Sequence, residues 1–471
     1  MLTTISRRFG MLSNFFGLLS PSTTGVIIGG YPPGREIPDH QPITRTDEIS
    51  KVQSTTLPNG VRVVTESTNF PSNVRFGVTI NAGTRDETEE TSGVVNALRQ
   101  TFLKTNVRTN EQINYCMIQS SGGAFAMDFN QEFMNYTGHC LAHDFYDMNQ
   151  MLADCVLDEK TLIDEEAAQW RTDEKFRLDE YNLTLPKKLE NVWLSTAYGY
   201  KGFGNPLMGH QAHFQSIGFY MLNNWRKATI TPDRIVVWGA GINKHEEFVN
   251  TVADYYRFID PIKAPKRAPS VYLGGEFREI CDSPLTHVSL SFKGFSRSQI
   301  EHNAAYVLKY IIGESKTGLF NRAHTNFHQK NPWLCYVKPH HTTFEDSGNF
   351  RINVAAPNEK AAELSEVLIK EIRDLQNVTD EEVSRAKNKL KRITYNKYQD
   401  PDFRMKKLTR DFSQTGKLVS YESFEKEIED VTTDQVKKAA ATIFKSNPTL
   451  VVLGGNPHGI LTAQTFQEKL R

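Results

Sequence analysis

Two nine- and eight-residue runs, DRIVVWGAG at 233–241 and TLVVLGGN at 449–456, decide how this chain folds. Each is a short apolar run rich in β-branched residues and closed by glycine, the pattern of a buried strand. Val236-Val237 stands 215 positions before Val451-Val452, and Asp164-Glu165-Glu166 stands 216 before Asp380-Glu381-Glu382. The same order of segments therefore runs twice along the chain.

The first copy opens with LPNGVRVVTES (57–67), where Asn59-Gly60 marks a turn, and NVRFGVTINAG (73–83). SGVVNALRQTFLK (92–104) follows as a helix with Val94, Val95, Leu98 and Phe102 on one apolar stripe. FAMDFNQEFMNYTGHCLAH (125–143) reads as two strands parted near Asn130, DFYDMNQMLADCVL (144–157) as an amphipathic helix, and 164–180 as a long charged helix. The second copy supplies THVSLSFKGFSRSQ (286–299), the helix EHNAAYVLKYIIG (301–313), and the strand and helix of NFRINVAAPNEKAAELSEVLIKEI (349–372). TDEEVSRAKNKLKRI (379–393) starts on a capping box from Thr379 to Glu382. The expected fold is α+β: two duplicated α/β units at 50–259 and 271–471, each a mixed, largely antiparallel sheet packed with helices. DPIKAPKRAPS (260–270), with three prolines in eleven residues, reads as the linker.

Charge and cysteine narrow the function classes. Lys plus Arg equals Asp plus Glu at 55 each, so no global field favours nucleic acid, and none is expected as a partner. No apolar run reaches the roughly 18–20 residues of a membrane-spanning helix, and mean hydropathy is −0.48. Five cysteines without a CxxC pair fit reduced, buried thiols rather than a disulfide framework. Residues 1–49 form an arm whose first 35 residues carry Arg7, Arg8 and Arg35 and no acid, the composition of a mitochondrial targeting segment.

The segment order, together with STAYGYKGFGNPLMG (195–209), TPDRIVVWGAG (231–241), THVSLSFKG (286–294) and HHTTFEDSGNF (340–350), resembles the pitrilysin-like family of zinc peptidases. The resemblance runs from about residue 50 to the end and is nearest the processing-peptidase and respiratory core-subunit branch. Catalytic members carry His-x-x-Glu-His on the first helix and a further Glu on the long one. Those three positions fall here on Asn96, Arg99 and Gln100. An amide is a poor zinc ligand, and Arg99 puts a fixed positive charge where a dication would sit. The distal carboxylate is Glu174 or Glu180. The resemblance thus implies a catalytically inactive chain with no metal and no cofactor.

It also implies a mitochondrial place on the matrix face of the inner membrane. The implied partners are a β-type processing peptidase or core sister chain and the complex containing cytochrome b and cytochrome c1. A processing-peptidase α subunit carries a glycine-rich loop for presequence peptides. Here IIGESKTGLFNRAH (311–324) keeps only Gly313 and Gly318, which leaves less freedom to close over an extended peptide. His139 and His143, with Asp144 and Asp147 nearby, end a strand and so do not converge as a helical pair would, His210/His213 and His324/His328 lack an acidic partner and a third ligand, and His340-His341 read as strand-edge residues, so core or solvated roles are expected.

Overall fold

Alternating apolar residues in both halves become two sheets in the computed structural model, which describes residues 51–68, 73–106, 113, 122–160, 164–314 and 320–470. The N-terminal arm, Gly318 and Cys116 lie outside the described residues. The first sheet holds β1 (Val52–Thr56), β2 (Arg62–Glu66), β3 (Asn73–Ile80), β4 (Ala124–Phe129), β5 (Met134–Leu141) and β6 (Ile235–Ala240), ordered β1-β2-β6-β3-β5-β4. The second holds β7 (Gly275–Ile280), β8 (Leu285–Lys293), β9 (Tyr336–Thr343), β10 (Gly348–Pro357) and β11 (Thr449–Gly454), ordered β7-β11-β8-β10-β9. Without β1 the two orders are the same. Each sheet has one parallel pair, β2 with β6 and β7 with β11, and is otherwise antiparallel. The two runs that opened this account, β6 and β11, are fully buried from end to end, as interior strands covered on both faces must be.

The described helices in the first half are α1 (Val94–Gln100), α2 (Phe145–Leu157), α3 (Asp164–Leu183), α4 (Leu185–Tyr198), α5 (Phe219–Thr229) and α6 (His245–Tyr256). The second half carries α7 (Glu301–Ile312), α8 (Ala361–Asp374), α9 (Asp380–Tyr398), α10 (Pro401–Thr415), α11 (Tyr421–Glu429), α12 (Thr433–Lys445) and α13 (Ala463–Leu470). The expected capping box starts α9: Glu382 N donates to Thr379 Oγ1 at 3.3 Å, and Thr379 N donates back to the Glu382 carboxylate at 3.0 Å.

The halves exchange one helix each. α4, from the first half, lays Leu189, Trp193, Leu194 and Ala197 on Val451 and Leu453 of the second sheet. α10, from the second half, lays Met405 and Leu408 on Val64, Val236, Trp238 and Ala240 of the first. The start of α10 lies 216 positions after that of α4, the offset that also relates α3 to α9. Polar pairs fix both exchanges. The Arg404 guanidinium donates to both oxygens of buried Glu66 at 2.7 and 2.8 Å, and Thr79 meets Thr409 at 2.9 Å. In the other direction Arg351 donates to Glu190 at 3.0 Å, and the Tyr198 hydroxyl meets Ser347 at 2.7 Å.

Residues 260–270 carry neither helix nor strand, as the prolines require, yet the segment is anchored. Arg267 donates to Asp86 at 2.7 and 2.9 Å, to Asn81 at 2.8 and 2.7 Å, and to Glu345 at 3.2 Å. The buried-thiol expectation holds for Cys140 and Cys155 and fails for Cys335, which is exposed in the turn before β9; Cys281 is half-buried. All four are free.

Candidate functional site

Helix α1 is short because both its ends are fixed by hydrogen bonds. Gly93 starts it at φ +99°, a left-handed conformation suited to glycine, and a Cβ on the facing Gly209 would come within 2.4 Å of the Gly93 Cα. The wholly buried Glu87 carboxylate caps the first turn, accepting from Gly93 N at 3.1 Å and Val95 N at 2.8 Å. Burial raises the Glu87 carboxyl to about 8, against the pull of those two amides. At the other end Thr101 turns its hydroxyl back onto Ala97 O at 2.9 Å. The helix therefore stops at Gln100 rather than running to 104, and Phe102 falls in the following turn.

The apolar stripe Val94, Val95 and Leu98 is fully buried as expected. The other face meets α3. Glu174 sits at the middle of an i, i+4, i+8 stripe, Trp170, Glu174 and Leu178, which is the buried line of an otherwise exposed charged helix. Glu180 is exposed, so Glu174 alone of the two candidate carboxylates reaches α1. That apolar spacing on either side of Glu174 is a sequence signal that would have separated it from Glu180.

Every oxygen of Glu174 is engaged. Asn96 Nδ2 donates to Oε1 at 2.5 Å, Gln100 Nε2 donates to Oε2 at 3.3 Å, and Arg177 approaches Oε2 at 3.6 Å. The second Asn96 amide proton points to Met208 O at 3.4 Å, while its Oδ1 accepts from Arg99 at 3.1 Å. Burial pulls the Arg99 guanidinium below its usual value and Glu174 opposes that shift. Arg99 also lies over the Phe129 ring at 5.9 Å.

The donor set does not fit zinc. Two amides and a guanidinium offer neither thiolate, imidazole nor a second carboxylate, and the one carboxylate is saturated by amide and cation donors. Two arginines would repel a dication by several kcal/mol at about 5 Å and an effective dielectric of about 20. No group of three or more His, Cys, Asp or Glu side chains among the described residues could hold a metal ion. The hydrogen bonds at this site tie α1 to α3.

The remaining candidates do not assemble. His143 is exposed beside Asp144 at 3.2 Å, and His139 lies on β5. His210 packs against Tyr200 at 5.2 Å and against His213 at 6.1 Å between ring centroids, around a 3-10 turn. His324 and His328 share the turn Ala323–His328. His340 and His341 lie on the edge strand β9, where burial pushes their imidazoles to about 2 and about 3. Gly313 takes φ +68°, and a Cβ there would strike Asn321 at 2.5 Å, so it ends α7 rather than opening a long loop.

Comparison with known proteins finds two matches along the chain. Residues 62–211 match the family described as Insulinase (Peptidase family M16), and residues 217–390 match the Peptidase M16 inactive domain. The join between them precedes β6, the strand that completes the first sheet. The chain is similar to the mitochondrial-processing peptidase subunit alpha of Solanum tuberosum, 23% identical over 86% of this chain and 82% of that one. It is similar to the probable mitochondrial-processing peptidase subunit beta of Arabidopsis thaliana, 27% identical over 72% of this chain and 66% of that one. It is similar also to subunit beta of Saccharomyces cerevisiae, 23% identical over 91% and 96%.

Proposed function

This chain belongs to the M16 peptidase family, and on that premise we propose that it is a non-catalytic, α-type processing-peptidase-like subunit acting as a scaffold. The observation that carries the reading is the Asn96–Glu174–Gln100 network. At two of the three positions where catalytic members hold metal ligands and base, Asn96 and Gln100 instead donate to the remaining carboxylate, and Arg99 at the third donates to Asn96. A chain so built supplies a surface and leaves hydrolysis to a partner. The partner is a β-type chain with an intact His-x-x-Glu-His, and the duplicated domains 50–259 and 271–471 form one half of the pair.

In the finer form of the proposal the chain is a core subunit on the matrix side of the respiratory complex that contains cytochromes b and c1. A soluble mitochondrial processing peptidase is the second reading, supported by the names of the relatives. Native electrophoresis of mildly solubilised mitochondria, with the chain tagged and its companions identified by mass spectrometry, separates them. Comigration with cytochrome b and cytochrome c1 supports the core-subunit form. A small heterodimer with a β-type chain supports the soluble form, and migration as a lone active peptidase overturns both.

A further inference from the structure

The second half contains a counterpart of the Glu174 site, and its chemistry is inverted. On α7, Tyr306, Lys309 and Tyr310 repeat the i, i+3, i+4 spacing of Asn96, Arg99 and Gln100, with Lys309 and Tyr310 half-buried like Arg99 and Gln100 but Tyr306 half-buried where Asn96 is buried. On α9 the place of Glu174, 216 positions on, is taken by Leu390. In the first half the carboxylate neutralises Arg99 and Arg177. Beside Lys309 of α7 the nearest opposing charge is Glu314, just past the end of that helix.

A cavity of about 320 Å³ occupies this position, walled by α7, α9, α10, β9 and Phe424 of α11. Five cations line it: Arg297, Lys309, Lys397, Lys407 and Arg410. Its single lining carboxylate, Asp411, is already shared by Arg297 at 2.8 Å and Lys407 at 2.8 Å, which hold it below the usual carboxylate range although burial alone would raise it. Lys309, Lys397 and Arg410 have no ion-pair partner among the described residues. Burial, and then the neighbouring Lys397, push the Lys309 amine below its usual value, with Glu314 opposing. His341, 7% exposed, also lines the cavity; its Nδ1 meets Asn349 O at 3.3 Å while its Nε2 has no hydrogen-bond partner. Such crowding of like charge in a partly desolvated cavity is relieved by an anion bearing more than one charge. The Thr342, Thr343 and Thr394 side chains and the Tyr306 and Tyr310 phenols add neutral donors to the wall.

We propose that the cavity between α7, α9, α10 and β9 binds a phosphate-bearing anion through Lys309, Lys397 and Arg410. The helix α10 that forms one wall is the one exchanged onto the first sheet, so a bound phosphate ties together elements that hold the two halves in register.

The test is calorimetric titration of the full chain with inorganic pyrophosphate at fixed ionic strength, with a parallel sedimentation arm using phosphatidylcholine vesicles with and without phosphatidic acid. Lys309→Met and Arg410→Gln are each expected to weaken binding about tenfold, as loss of one charge-assisted contact does. Lys417→Gln, an exposed lysine outside the cavity, is expected to leave it unchanged. Binding of pyrophosphate with that pattern identifies a soluble phosphate compound. Binding only to phosphatidic acid vesicles, with the same variant pattern, identifies a lipid headgroup. Absence of saturable binding in both arms, or binding indifferent to Lys309→Met and Arg410→Gln, overturns the proposal. Circular dichroism of each variant separates loss of the site from loss of the fold.

Discussion

Asn96 and Glu174, 78 positions apart, meet at 2.5 Å with neither side chain reachable by solvent. The amide donates and the carboxylate accepts, and Gln100 completes the second oxygen. This pair is a buried polar bond between α1 and α3. Glu174→Gln puts an NH2 where two amides and a guanidinium already donate. It is expected to cost about 1–3 kcal/mol of stability, measured by urea denaturation at neutral pH.

Rebuilding the ligand set should not rebuild the enzyme. The triple variant Asn96→His, Arg99→Glu, Gln100→His supplies the missing side chains, yet the groups that would orient the new imidazoles are absent. The expected outcome is no cleavage of a presequence peptide by the purified single chain. Turnover abolished by a chelator would show that the surrounding shell had been kept.

The exchanged helices make the halves interdependent. Arg404→Ala leaves the Glu66 carboxylate, 3% exposed, without its bidentate partner. A loss of about 3–5 kcal/mol is expected, and joint replacement of Glu66 and Arg404 by Leu and Met should recover most of it.

The same exchange bears on truncation. Residues 50–259 expressed alone lack α10 and expose Val64, Val236, Trp238 and Ala240. Gel filtration should find this fragment aggregated or bound to an apolar dye, and co-expression with 260–471 should return a soluble complex.

Stability should also carry the mark of Glu87. Its folded-state value near 8 lies above the unfolded value of 4.5, so its contribution is fully present below about pH 4.5 and is lost as pH rises through 8. Lys160, buried with its amine donating to Phe102 O and Cys155 O, runs the other way: lowered from 10.5 to about 7, it loses its contribution as pH falls through 7. In Glu87→Gln the decline between pH 4.5 and 8 should flatten, as followed by denaturation midpoints. An unchanged slope would mean that Glu87 stays ionised in the fold.

The duplication was readable because β6 and β11, and the Asp-Glu-Glu starts of α3 and α9, keep their spacing whatever else has drifted. The strand pairs around Asn130 and the capping box at Thr379 followed from local turn and cap chemistry. The helix exchange was not readable, since α4 and α10 have ordinary amphipathic patterns and nothing in a helical stripe says which sheet it covers. Nor was the end of α1 at Gln100, set by the Thr101 back-bond and by Lys160 capping Phe102 O from another segment. At the site, the side chains at 96, 99 and 100 are given by the sequence itself, while their bonds to Glu174 are not. The choice of Glu174 over Glu180 needed the Trp170–Leu178 stripe, and the pocket around Lys309 needed α7, α9, α10 and β9 brought together by the fold.

The central claim is most directly tested by the zinc content of the purified full chain after equilibration with zinc at neutral pH, read by plasma mass spectrometry against a buffer control. The expected result is only substoichiometric zinc that a weak chelator strips. One tightly held zinc per chain, lost on Glu174→Gln, would contradict it and make this chain a metallopeptidase with an altered ligand set.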